Sequence, residues 1–180
     1  RSALLFAGED GVAAVSIIMY LQFLCIGIYF GFSMGLSTPL GYAYGDRNFS
    51  VCRVLEKYAY RFFAIAPIIL YGCTYLLAPI GVYFFASPGS TVFDMAVSGL
   101  RLYGLGFLFS GINIFAAIRM MTYGKGYISG MITFLRSFAL LLLFLTVLPR
   151  FLELNGIWLA VPAAEILTLI VALWTLRKKL

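Results

Sequence analysis

Across residues 12–36 the chain carries no charged side chain at all. A run of that length exceeds the about 20 residues an α-helix needs to cross a bilayer core about 30 Å thick. Residues 50–85, 92–122, 126–148 and 157–176 repeat the pattern with few charges, and each reads as a spanning helix. Lipid offers no hydrogen-bond partners, so segments like these hide their backbone polar groups by coiling into helices. The expected fold is all-α: a polytopic transmembrane bundle of about five spanning helices, forming a single unit over residues 1–180.

Composition decides between a membrane and a buried soluble core. Apolar residues make up 63% and charged residues 11% of the chain, whereas a soluble domain has about 25% charged residues. Too few charges remain to cover a water-facing surface. The net charge of +6 is read as cytoplasmic flank charge rather than a nucleic-acid footprint. Histidine is absent, which removes Ser-His and Cys-His catalysis and His-ligated metal sites. Cys25, Cys52 and Cys73 form neither a CxxC motif nor an even disulfide set. No catalytic, cofactor-binding or metal-binding residue is expected, and the chain is read as a non-enzyme.

Local signals set the helix ends. Asp10 in "GEDG" is the expected N-cap of the first helix, and Thr91 with Asp94 the capping box of the third. Pro67 should kink the second helix by removing a backbone donor. Pro149 stops the fourth, and "LNG" leads into the fifth. Arg47, Arg53, Lys57, Arg61, Arg119, Lys125, Arg177, Lys178 and Lys179 fall on one side of such a bundle, against Arg1, Arg101 and Arg150 on the other. The basic side is therefore cytoplasmic, with the C-terminus inside and the N-terminus outside. An outside start with no cleavable signal leads to the expectation that at least one helix precedes the chain.

Four polar groups stand out inside these helices. At 1.5 Å per residue, Glu165 lies about 12 Å from the outer end of the fifth helix and Arg136 about 15 Å from the inner end of the fourth. In a core about 30 Å thick these depths nearly coincide, so the two side chains can pair across neighbouring antiparallel helices. Gly126, Gly130, Thr133 and Ser137 beside Arg136, and Thr168, Ala172 and Thr175 beside Glu165, suggest contact faces. Gln22 and Asn113 reach the same depth and are expected either to line a cavity or to join helices. The Arg136–Glu165 pair has two readings: a lock between helices, which is preferred, or a part in proton or cation coupling. Arg119, one turn from a helix end, should snorkel to the interface. Gly27, Gly31 and Gly35 fit a small-xxx-small packing stripe. "YGKG" is a tight turn, not a phosphate loop.

The order of motifs resembles a known family. "GEDGVAAVSIIMYLQF" followed by "GFSMGLSTPLGYAYGDRNF" is similar to the eighth helix and Gly/Pro-rich cytoplasmic elbow of multidrug and toxic compound extrusion (MATE) transporters. "GLGFLFSGINIFAA" resembles the tenth helix. The run from "GKGYISGMITFLRSF" to "GIWLAVPAAEILTLI" resembles the eleventh and twelfth. The flavour is that of the bacterial branch of efflux pumps found in Firmicutes. The resemblance implies a twelve-helix antiporter of two six-helix bundles in the bacterial plasma membrane, where inward sodium or proton flow drives export of cationic lipophilic drugs. This chain would be the C-terminal bundle without its first helix, its partners being the drugs, the lipid bilayer and the N-terminal lobe. No cofactor is implied beyond the coupling ion. The family's coupling Asp lies on its first helix, outside this chain. The acidic cluster that some members draw from the seventh and tenth helices is not matched here, since the tenth-like helix has Asn113 and no internal acid. Glu165 is then expected to be the one deep carboxylate.

Other classes fit less well. A lipid-linked oligosaccharide flippase of the same superfamily would want more midplane cations than one Arg. A membrane enzyme such as an acyltransferase would want a catalytic His, paired Asp or metal cluster. A membrane fragment without transport remains an alternative.

Overall fold

The computed structural model describes residues 2–177, and every regular element in it is helical. Arg1, Lys178 and Lys179, used above for the charge bias, lie outside the described residues. Five helices are long and apolar enough to cross a membrane. We label them α1 (Ser2–Gly45), α2 (Phe49–Tyr83), α3 (Thr91–Thr122), α4 (Gly126–Val147) and α5 (Pro149–Arg177). Their outer surface is apolar: Phe23, Leu76, Ile68 and Ile170 are all well exposed, as suits a lipid solvent rather than water.

The helices obey local chemistry, with several departures from the expected ends. α1 breaks at Gly8, whose φ of 60° only glycine adopts at little cost. The break comes two residues before the cap expected at Asp10. α1 then runs through Pro39 to Gly45, well past residue 36. Asn48 caps α2 by accepting from the Val51 amide at 3.3 Å. Pro67 and Pro79 both lie inside α2 without ending it. Ser90, not Thr91, caps α3: its backbone is extended and its hydroxyl accepts from the Phe93 amide at 3.2 Å. Asp94 stays in the first turn, where its charge suits the helix dipole. α3 tightens to a 3-10 turn at Gly104–Gly106, and α4 loosens to a π-helical turn at Leu135–Ala139. α5 starts at Pro149 and breaks at Glu153, which has a φ of 50°.

α3 is the hub and packs against each of the other four helices. In its most apolar stretch 72% of residues are buried, against 6% in α4. Small residues explain the close approach. A Cβ on Gly111 would stand 2.8 Å from Phe63, and one on Gly99 would stand 2.8 Å from Ile18 and 2.9 Å from Trp158. Such contacts carry the packing, because lipid provides no hydrophobic drive between helices. Around Gly111, Tyr29, Phe63 and Phe115 pack ring to ring, and the buried Tyr29 hydroxyl donates to the Phe107 carbonyl at 2.9 Å. Two expected packing stripes find no partner within the described residues. Gly27, Gly31 and Gly35 face open space, as do Gly126 and Gly130, while Thr133 and Ser137 are exposed. α4 instead turns Ile132 inward. Thr168, Ala172 and Thr175 on α5 are fully buried.

The tightest backbone approach joins α4 to α5. A Cβ on Gly156 would lie 2.5 Å from the Leu148 carbonyl carbon and oxygen. Backbone atoms cannot rotate away, so Gly156→Ala should displace the start of α5 and cost about 1–3 kcal/mol. The check is the melting temperature in detergent, with Gly72→Ala, which meets no atom within 4 Å, as the comparison. Gly156→Ala is expected to melt several degrees lower, and Gly72→Ala to lose nothing.

Candidate functional site

The Glu165 carboxylate is 4% exposed as a residue and lies where three helices meet. From α4, Arg136 donates through Nε at 3.1 Å and Nη2 at 2.6 Å, both to Glu165 Oε1. From α3, Asn113 Nδ2 donates to Glu165 Oε2 at 2.7 Å and to its backbone carbonyl at 2.9 Å. Arg136 sits in the π-helical turn of α4, a local distortion that tends to mark positions under constraint. One acid therefore ties α3, α4 and α5 together. Nothing in the local sequence of α4 signals the π turn.

Beside this knot lies a cavity of about 160 Å³, lined by Gln22, Tyr103, Ser110, Arg136, Ser137 and Glu165 among others. Tyr103 donates its hydroxyl to Gln22 Oε1, linking α3 to α1. The buried Ser110 hydroxyl has no hydrogen-bond partner. Gln22, Tyr103, Leu141 and Val161 also line a larger apolar cavity of about 500 Å³, walled by Met19, Phe23 and Trp158. The two spaces adjoin through these shared residues, giving an apolar chamber with a polar floor. Gln22 is thus a cavity wall. Asn113 lies outside both cavities, fully buried, and joins α3 to α5 through Glu165, the other of the two roles open to it.

A second buried knot was not foreseen. Arg119 does not snorkel; it is 2% exposed and pairs with Glu56 of α2 through Nε. Tyr123, in the turn after α3, donates to the same Glu56 oxygen at 2.7 Å, and the Arg119 guanidinium stands 5.0 Å from the Tyr123 ring centre. Burial and then the bond to Glu56 push the Tyr123 hydroxyl above the usual tyrosine range, so it remains a donor. Glu165 is therefore not the one buried acid. The signal for Glu56 was present: Cys52, Glu56, Ala59 and Phe63 share one helix face, and the others on it are apolar.

Among the described residues no group of three His, Cys, Asp or Glu could hold a metal ion. Cys25, Cys52 and Cys73 are free thiols.

The chain matches the MatE family over residues 2–148. It also superposes on solved transporters. An outward-facing and an inward-facing conformation of a multidrug resistance MATE family transporter of the MOP superfamily align with TM-scores of 0.87 and 0.88, at 23% and 22% identity. Each alignment covers 97% of this chain, and 40% and 41% of those chains respectively. A MOP superfamily transporter from Pyrococcus furiosus Vc1, whose binding-pocket polarity is reversed and suggests a different function, aligns with a TM-score of 0.87 at 22% identity, over 97% of this chain and 40% of its own. At these identities the likeness is one of fold. The chain spans about two fifths of the length of these transporters. No curated protein matches it.

Removing one partner of a buried ion pair strands the other charge and costs about 3–5 kcal/mol. Arg136→Ala should therefore cut the amount of folded protein in the membrane severalfold. Size-exclusion profiles of a fluorescent fusion check it, with Gly72→Ala as the comparison. Normal accumulation of Arg136→Ala would overturn the locking role.

Proposed function

This chain belongs to the MatE family of multi-pass membrane transporters, and from that premise we propose that it supplies one lobe of a secondary antiporter. The antiporter exports cationic lipophilic compounds in exchange for sodium or protons across a bacterial plasma membrane. The basic ends of the helices face the cytoplasm, by the bias of Lys and Arg. The observation that carries this reading is the apolar chamber of about 500 Å³ set against a polar niche between α1, α3, α4 and α5. Drug-sized ligands favour cavities of about 300–1,000 Å³ with apolar walls and a few convergent polar groups. Transporter sites also tend to lie near the midplane, where either face can reach them.

The two buried knots suit alternating access. Glu165 ties α3, α4 and α5, while Glu56 ties α2 to α3 and to the turn that follows it. A lobe so cross-linked moves as a unit, which is what rocking one bundle against another requires. Arg136 neutralises Glu165, so the ion-driven step falls mainly to groups elsewhere in the full-length transporter. The same commitment of Arg136 favours antiport over a lipid-linked oligosaccharide flippase, whose pyrophosphate would need cations facing the cavity.

Ethidium efflux by cells expressing the full-length transporter tests the reading. Efflux should rise severalfold over control cells and collapse when both the sodium and proton gradients are removed. Leu141→Trp, which fills the chamber where its two parts meet, should slow efflux at normal protein levels. Efflux that ignores both gradients would overturn antiport, and an unaffected Leu141→Trp would remove the chamber from the export path.

A further inference from the structure

α2 is too long for the membrane it crosses. Its 35 residues span about 52 Å, against a hydrocarbon core of about 30 Å. Residues 62–83 carry no charge and fill that core by themselves. The first three turns of α2 therefore project into the headgroup layer. There Arg53, Lys57 and Arg61 recur at every fourth position, so they stand on one face about 12 Å long. All three are exposed, and the opposite face, with Cys52, Glu56, Ala59 and Phe63, is buried.

Among the described residues no acid pairs with the stripe; Asp46, the nearest exposed one in sequence, sits in the turn before α2 and makes no ion pair. From residue 47 to residue 93 the sequence contains one carboxylate, Glu56, and that one is turned inward onto Arg119. The ion pairs among the described residues are Arg119–Glu56 and Arg136–Glu165, and neither uses the stripe. Arg53 donates its Nε to the Phe49 carbonyl at 3.2 Å, which lays the side chain along the helix and leaves the terminal nitrogens of the guanidinium for another group. The same fourfold row then changes character. It continues as Ile65 and Ile69, 60% and 58% exposed, and Val54 and Tyr58 flank the cations at 52% and 58%. Cations at headgroup depth followed by exposed isoleucines at acyl-chain depth match a molecule with an anionic head and a hydrocarbon tail.

The geometry points to a binding site for an anionic phospholipid on this ridge, with its phosphodiester against Arg53, Lys57 and Arg61 and an acyl chain along Ile65 and Ile69. A free phosphate or an acidic peptide would use the cations alone, whereas a phospholipid engages the cations and the apolar continuation of the ridge together. The inference needs only that α2 crosses a membrane, so it stands apart from the antiport reading.

The test uses the full-length transporter, extracted from vesicles of equal parts phosphatidylglycerol and phosphatidylcholine, with bound lipids counted by native mass spectrometry. Each cation near an anionic surface favours an anionic lipid by about fivefold. The wild type should therefore retain phosphatidylglycerol in about tenfold excess or more. The triple variant Arg53→Gln, Lys57→Gln, Arg61→Gln should fall to near parity, whereas Lys125→Gln with Arg177→Gln should keep the excess. Excess inorganic phosphate should not displace the lipid. A benzophenone placed at residue 65 removes no charge and should label phosphatidylglycerol over phosphatidylcholine. Parity in the wild type, an undiminished excess in the triple variant, equal loss in the Lys125 and Arg177 control, displacement by phosphate, or unbiased labelling at residue 65 would each overturn the site.

Discussion

A carboxylate in hydrocarbon is unstable unless something answers its charge. Glu165 is answered twice, by the guanidinium of Arg136 on one oxygen and the amide of Asn113 on the other. The arrangement matters most for α4. Only 6% of its apolar stretch is buried, and in lipid there is no hydrophobic force to hold a helix against its neighbours. Packing on α3 and α5, through Ile128, Ile132 and Leu145 among others, and the polar knot at Arg136 together seat α4 on the bundle.

The second knot works the same way at another level of the bundle. Glu56 takes hydrogen bonds from Arg119 and Tyr123, joining α2 to the hub helix and to the turn that follows it. Between the two knots, glycines at 99 and 111 let side chains of α1, α2 and α5 press onto α3. The interior is thus cross-linked by hydrogen bonds where it is polar and by close contact where it is small. One space lies between α1 and the α4–α5 pair, where Gln22 and Tyr103 separate an apolar chamber from a polar niche. A rigid frame around a formed cavity is the physical basis of the transporter reading.

How far this could be read from sequence depended on the residue. The five spans were legible, because long uncharged runs have few alternatives in lipid. Arg136 and Glu165 were legible as partners in space, because helical rise alone places them at matching depths. Glu56 was not, sitting between Arg53 and Lys57 in a basic segment; only its apolar face-mates Cys52, Ala59 and Phe63 mark it as buried. Arg119 was misjudged for the same reason: distance to a helix end predicts snorkelling only when no partner waits inside. Small-xxx-small stripes told that helices could approach, not which did, and those at Gly27 and Gly126 meet nothing within 4 Å among the described residues. The π turn at Leu135–Ala139 had no local signal, whereas "LNG" marked the neighbourhood of the break at Glu153.

The interdependence of Arg136 and Glu165 is tested most directly by exchanging them. Arg136→Glu and Glu165→Arg should each leave like charges facing in a dry interior, and little folded protein should reach the membrane. The double exchange restores opposite charges, and Asn113 can turn its amide to meet the new partner. Folded yield of the double variant should therefore exceed that of either single variant. A double variant no better than the worse single would contradict a stabilising bond between these two side chains.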